Sequence, residues 1–225
     1  LDVDGPIGGG AYPVGDWIST WGYVKDLDKF KNVTVNVLTS KRRAFDIDEG
    51  VADSGYAPFT FSGTINLKNT ETVGIDVQGT HTKYSGSNKL NTSLTKIEDV
   101  ANIKIINGEN GNIIGFGKDG NNILKNQVGF GFNNEDKSGN NTRTEIINKG
   151  KITLGGIESA GIQLKPENSR YGINNTDTTT PDKNGLNMMA GTNVGGTITL
   201  NGYGSYGITT VGNPKQGAAI TYTNY

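Results

Sequence analysis

The sequence predicts an all-β protein whose short strands stack as a β-solenoid. Three observations lead there: a composition poor in helix formers, apolar residues that alternate with polar ones, and a short motif repeated at fixed internal spacing. Of 225 residues, 34 are Gly, 27 Asn and 25 Thr, so these three types make up 86 positions. All three are weak in helix interiors. Hydrophobic residues reach only 33%, but Ile occurs 21 times, and so concentrated an aliphatic set can fill a thin, regular core.

The repeat aligns without gaps in three places. Gly63-Thr64-Ile65-Asn66-Leu67 is followed, 11 residues after its first Gly, by Gly74-Ile75-Asp76-Val77. Gly150-Lys151-Ile152-Thr153-Leu154 leads in the same way to Gly161-Ile162-Gln163-Leu164, and Gly196-Thr197-Ile198-Thr199-Leu200 to Gly207-Ile208-Thr209-Thr210. A degenerate copy is expected at Ala101-Asn102-Ile103-Lys104-Ile105, with Asn112-Ile113 in second place. Ile65 and Leu67 alternate with Thr64 and Asn66, the mark of a half-buried strand. The Gly before Ile75, Ile162 and Ile208 suits a corner that needs positive φ or a missing side chain. Such short strands bury their apolar face only by stacking on copies of themselves. Copy spacings of 38, 49 and 46 residues suggest two coils of roughly 20 residues each. About ten coils at ~4.8 Å would make a rod on the order of 50 Å long.

Along the chain, residues 1–30 hold both Trp residues, Pro6, Pro13 and Gly8-Gly9-Gly10 and show no repeat. They read as an irregular cap or junction, with Trp17 and Trp21 as a candidate aromatic platform. Residues 31–225 read as coils with inserted loops at about 79–96, 133–143 and 165–191, whose Gly, Asn, Ser and Pro content is turn chemistry. Val33, Val35 and Val37 alternate with Thr34 and Asn36 and mark a strand. Lys41-Arg42-Arg43 reads as a solvated basic corner. Neither Leu1 nor Tyr225 resembles a natural terminus, so the chain is expected to be a piece of something longer.

Several function classes lose support. There is no Cys, which removes disulfides, redox pairs and thiolate metal sites. A net charge of −1 argues against nucleic acid as a partner. No apolar run approaches the length of a membrane helix. His81 stands alone and cannot complete a His-based zinc site. Asp53-Ser54-Gly55 lacks the flanking residues of a serine-protease nucleophile turn. Asp46 and Asp48, with Glu49 and Asp53 nearby, make a calcium candidate without the ladder of an EF-hand loop; solvated strand carboxylates are the plainer reading. No carboxylate cluster recurs at one strand position, so a catalytic sheet is not expected. The outward residues are Thr, Asn, Lys and Gln instead. Neither a catalytic residue, a metal nor a cofactor is expected. The sequons at Asn32, Asn91, Asn140 and Asn174 suit chance in an Asn- and Thr-rich chain.

The run Asn148-Lys149-Gly150-Lys151-Ile152-Thr153-Leu154 with Ser159-Ala160-Gly161-Ile162, and its partner Gly196 to Gly202 with Ser205-Tyr206-Gly207-Ile208, resembles the repeat of bacterial autotransporter passengers. The likeness is to the giant fusobacterial outer-membrane adhesins of type V secretion, whose repeat reads N-x-G-x-I-x-L…G-I, and it covers roughly residues 60–225. The resemblance implies a right-handed parallel β-helix on the bacterial cell surface, anchored in the outer membrane through a carboxy-terminal barrel outside these residues. It implies adhesion to host cells and to other bacteria through surface glycans or proteins. The motif itself is structural, so Ile65, Ile152 and Ile198 are core and no binding residue carries over. From the residues themselves, the contact candidates are Arg170 and Tyr171 in the longest loop, Tyr84 in the first, and Trp17 and Trp21. A polysaccharide-cleaving β-helix enzyme and a passive spacer are the alternatives.

Overall fold

The computed structural model describes residues 1–3, 18–20, 28–47, 59–78, 84–85, 89–90, 102–133, 143–165, 188–211 and 219–224. Among them every long element is a strand, there is no α-helix, and residues 28–30 form one 3-10 turn. Three large sheets are parallel throughout. The first runs Asp2–Val3, Thr34–Val37, Thr64–Leu67, Asn112–Gly115, Lys151–Leu154, Thr197–Leu200. The second runs Ile18–Thr20, Arg43–Ile47, Val73–Gln78, Val128–Asn133, Ala160–Lys165, Tyr206–Thr210. The third runs Phe59–Phe61, Asn102–Asn107, Arg143–Asn148, Met188–Asn193, Ala219–Asn224. From Phe59 onward the chain visits the third, first and second sheets in that order, four times in succession.

Alternation decides which side chains go inward. In Thr64–Leu67 and Lys151–Leu154 every second residue is buried. Register then turns alternation into columns. Val35, Ile65, Ile113, Ile152 and Ile198 are direct partners along the first sheet. Phe45, Ile75, Phe130, Ile162 and Ile208 do the same along the second. With Phe59, Phe61, Ile105 and Ile146 of the third sheet, these columns join one hydrophobic cluster. Phe45 packs edge-on against Phe61 with ring centroids 5.2 Å apart. The last strands are the most open: Ile198, Leu200 and Ile208 are only partly buried.

The register corrects three expectations. Asn102–Asn107 belongs to the third sheet, and the true partner of Thr64–Leu67 is Asn112–Gly115. The copy placed at Ala101 was therefore one strand too early. In that copy Gly111 leads to Gly129, 18 residues on rather than 11, because a small antiparallel hairpin, Lys118–Asp119 with Asn122–Ile123, is inserted between them. The Val33 strand, conversely, is itself a copy, since Val35 pairs with Ile65 and Phe45 with Ile75. Finally, each copy spacing covers one passage through three sheets, not two coils. Six strands in the first sheet span five spacings, or about 24 Å at ~4.8 Å each, half the expected length.

The glycine expectation divides. Gly74, Gly161 and Gly207 are not the positive-φ residues; those lie three positions earlier, at Glu71 (φ 55°), Glu158 (φ 53°) and Gly204 (φ 69°). What Gly161 supplies is a missing side chain. A Cβ there would stand 2.6 Å from Ile198 Cγ2 and 2.7 Å from the Gly207 carbonyl oxygen.

A column of asparagines, buried at Asn107, Asn148 and Asn193 and exposed at Asn224, is stacked in the same register as the core. Asn107, Asn148, Asn193 and Asn224 are consecutive partners in the third sheet. Each amide donates to the next: Asn107 Nδ2 to Asn148 Oδ1 at 2.8 Å, Asn148 Nδ2 to Asn193 Oδ1 at 2.8 Å, Asn193 Nδ2 to Asn224 Oδ1 at 2.9 Å. An amide carries both donor and acceptor, so identical residues at one rung spacing satisfy one another along the ladder, and only its first acceptor, Asn107 Oδ1, is buried without a partner. Gln127, fully buried at the turn into the second sheet, ties separate segments together. Its Nε2 donates to the Phe116 carbonyl at 2.8 Å and its Oε1 accepts from the Gly156 N–H at 3.0 Å.

Candidate functional site

The outward face of the second sheet carries a groove of about 580 Å³. Its construction follows from the repeat. In Gly74-Ile75-Asp76-Val77 the Ile and Val point into the core, so Asp76 points out. Register sets Asp46, Asp76, Gly131, Gln163 and Thr209 in one outward line. A second outward line is Arg43, Val73, Val128, Ala160 and Tyr206. Along these lines the floor is small and apolar: Val73, Val128 and Ala160 of the second line form it, and Gly131 of the first leaves it without a side chain. A Cβ at Gly131 would come 3.1 Å from Asp76 Oδ1 and 3.6 Å from Val128 Cγ1.

One rim is a column of left-handed residues. Lys41 (φ 61°), Glu71 (φ 55°), Asn126 (φ 56°) and Glu158 (φ 53°) each stand two residues before a strand of the second sheet, and all four line the groove. Their N–H groups remain bonded to the neighbouring rung, as in Lys41 to the Glu71 carbonyl at 3.0 Å and Glu158 to the Tyr203 carbonyl at 2.8 Å. Lys41 Nζ and Glu71 Oε2 are 3.9 Å apart at the surface, a pair that adds little stability.

Charge concentrates at one end. Arg43 Nη1 lies 3.0 Å from Asp76 Oδ2 and 3.4 Å from Asp46 Oδ1, bridging two carboxylates on neighbouring strands. Asp46 is 2% exposed and Asp76 7%. Two expectations fail here. Carboxylates do recur at one strand position, because Asp46 and Asp76 are direct partners. The solvated reading of Lys41-Arg42-Arg43 also fails: only Lys41 is exposed, Arg42 is buried at 6%, and Arg43 lies within the strand. A charged segment at a turn reads as solvated unless the opposite charges of a neighbouring rung are known, and those lie 30 or more residues away in sequence.

The calcium candidate is met only at Asp46, which is engaged with Arg43; Asp48, Glu49 and Asp53 lie outside the described residues. Among the described residues no group of three or more His, Asp or Glu converges as a metal site. Tyr84 opens a short antiparallel hairpin, Tyr84–Ser85 with Lys89–Leu90. Trp17, Trp21, Arg170, Tyr171 and His81 lie outside the described residues. The structure therefore brings together a different set, Arg43, Asp46, Asp76 and Gln163. The signal for Asp76 and Gln163 was in the motif: they occupy its variable position, the one that alternation turns outward.

No family model, curated protein or solved structure matches this chain.

Proposed function

We propose that the chain is a length of right-handed parallel β-helix from a bacterial surface adhesin, a rigid rod that presents its outer face and loops to glycans or proteins of host cells or partner bacteria. The observation that carries the reading is the repeated path: third, first and second sheets, four times over, with parallel register and one shared core. A chain that climbs by one rung per passage winds as a helix of strands, and crossovers between parallel strands are right-handed in nearly all proteins. The adhesive role rests on the likeness to autotransporter passengers and on the polar groove along the rod. Many weak contacts on a long rigid body gain strength through multivalency.

The expected loop at 165–191 ends earlier, since Met188–Asn193 is a strand of the third sheet. The test is therefore adhesion of the purified segment to epithelial cells and to other bacteria, with and without residues 166–187, a deletion that leaves the strands Ala160–Lys165 and Met188–Asn193 whole. Adhesion by the full segment supports the reading, and loss on deletion assigns contact to that loop. Absence of adhesion by the full segment to every surface contradicts it and leaves the spacer role.

A polysaccharide-cleaving enzyme on the same scaffold has one observation in its favour, the Asp46–Asp76 pair beside Arg43. Incubation with acidic polysaccharides, followed by assay for reducing or unsaturated ends, separates the two readings.

A further inference from the structure

We propose that the groove on the second sheet binds a neutral, hydroxyl-rich glycan chain lying along the stacking direction. The inference narrows the adhesin reading to one face and one ligand class, and it rests on that reading only for its biological setting.

Chemistry selects the occupant. The open backbone of a sheet lies at its edges, so a groove on a sheet face offers side chains alone, and an added peptide strand would find no ladder to join. The floor of Val73, Val128 and Ala160 is apolar and narrow. The rims carry donors and acceptors in turn: Lys41, Glu71, Asn126 and Glu158 on one side, Asp76, Gln163 and Lys165 on the other. A sugar ring has that complement, with apolar C–H faces and hydroxyls that both donate and accept around its edge. Small-molecule sites have the same character, apolar surface with a few placed polar groups.

Charge balance separates neutral from acidic glycans. Arg43 is taken by Asp76 and Asp46, and Lys41 stands beside Glu71. Lys165 and Glu158 are both exposed on the rims and offset one another. Arg42 lines the groove as well, so four cations, Lys41, Arg42, Arg43 and Lys165, face Glu71, Asp76 and Glu158, and with Asp46 beside Arg43 as the fourth anion the groove offers a polyanion no excess of positive charge.

Length and an aromatic end fit an extended chain. From Arg43 to Tyr206 the outward line crosses four strand spacings, about 19 Å. Tyr206, the partner of Ala160, continues the floor line and is 63% exposed, a platform on which a ring can stack. The rim adds an independent argument. Left-handed backbone favours Gly, but four rungs carry Lys, Glu, Asn and Glu there. Strained positions that hold polar side chains concentrate at ligand sites.

The probes are neutral β-1,4-linked hexaoses of glucose and galactose, with a galacturonate hexamer as the acidic arm, measured by calorimetric titration against the whole segment. The expected result is binding of a neutral hexaose, with weaker or no binding of the galacturonate. Gly131→Val fills the floor and should abolish binding, with folding checked by circular dichroism. Tyr206→Ala changes an exposed residue, leaves the core untouched and should weaken binding about tenfold. Failure of every neutral hexaose to bind, stronger binding of the galacturonate, or undiminished binding in both variants overturns the inference. Adhesion to cells that survives both substitutions while hexaose binding is lost supports the inference and places cell contact elsewhere on the segment. Groove binding without any cell adhesion supports the inference and defeats the adhesin reading.

Discussion

Asn148→Ala tests the buried amide ladder. Asn148 is fully buried, accepts from Asn107 Nδ2 at 2.8 Å and donates to Asn193 Oδ1 at 2.8 Å. Truncation strands one donor and one acceptor in the interior, each at a cost of about 1–3 kcal/mol. The donor is partly compensated, since Asn107 Nδ2 also lies 3.5 Å from the Gly111 and Lys151 carbonyl oxygens. The acceptor has no such relief, so the expected loss is about 3 kcal/mol in total. An internal control exists on the first sheet, where Asn36 donates to Asp2 Oδ1 at 2.7 Å and accepts from Asn66 Nδ2 at 2.9 Å. Asn36 is half-exposed, so water replaces what Ala removes, and Asn36→Ala should cost less than about 1 kcal/mol. Urea unfolding followed by far-ultraviolet circular dichroism measures both, with unchanged slopes confirming that stability alone has moved. Equal losses in the two variants would refute burial as the source of the ladder's value.

Three further substitutions probe other parts of the fold. Ile152→Asp should cost more than about 4 kcal/mol or prevent folding, because it sets a charge in a column between Ile113 and Ile198, whereas outward Thr153→Asp should cost under about 1 kcal/mol by the same urea assay. Gly161→Ala should destabilise by roughly 1–3 kcal/mol, since its Cβ meets a side chain and a carbonyl oxygen at 2.6 and 2.7 Å; a neutral effect in thermal melts would show that the neighbouring rungs yield easily. Arg43→Met removes the cation that bridges Asp46 and Asp76 and should cost up to about 3 kcal/mol; a more stable variant would mean the pair is held by other groups.

Much of the rung was readable from the chain alone. Period-two alternation gave Ile65, Leu67, Ile152 and Leu154 as core, and the repeated G-I gave Ile75 and Ile162. The third sheet was not readable in the same way. Asn102–Asn107 and Arg143–Asn148 both end in Ile-Ile-Asn, but Phe59–Phe61 lacks it, and the spacing between these strands is set by where the preceding loop returns the chain. That same loss hid the rung count, since a passage with three strands and long insertions has the length of two short coils. The insertion of Lys118–Ile123 concealed a copy by stretching its internal spacing. The groove was hidden for a related reason. Asp46 and Asp76 are neighbours only through register, and Arg43 reads as a surface cation until two buried carboxylates are set beside it.

Parallel, in-register stacking is the claim on which the rest depends, and paired cysteines test it directly in a chain that has none. Thr153 and Thr199 are register partners on adjacent strands of the first sheet. Their Cα atoms should lie about 4.8 Å apart, within reach of a disulfide, while Thr153 and Thr197, offset by two residues, should lie about 8 Å apart and out of reach. Under mild oxidation, Thr153→Cys with Thr199→Cys should close a bridge and Thr153→Cys with Thr197→Cys should not, as read by peptide mass mapping. Bridging in the offset pair, or in neither pair, would contradict the stacked register.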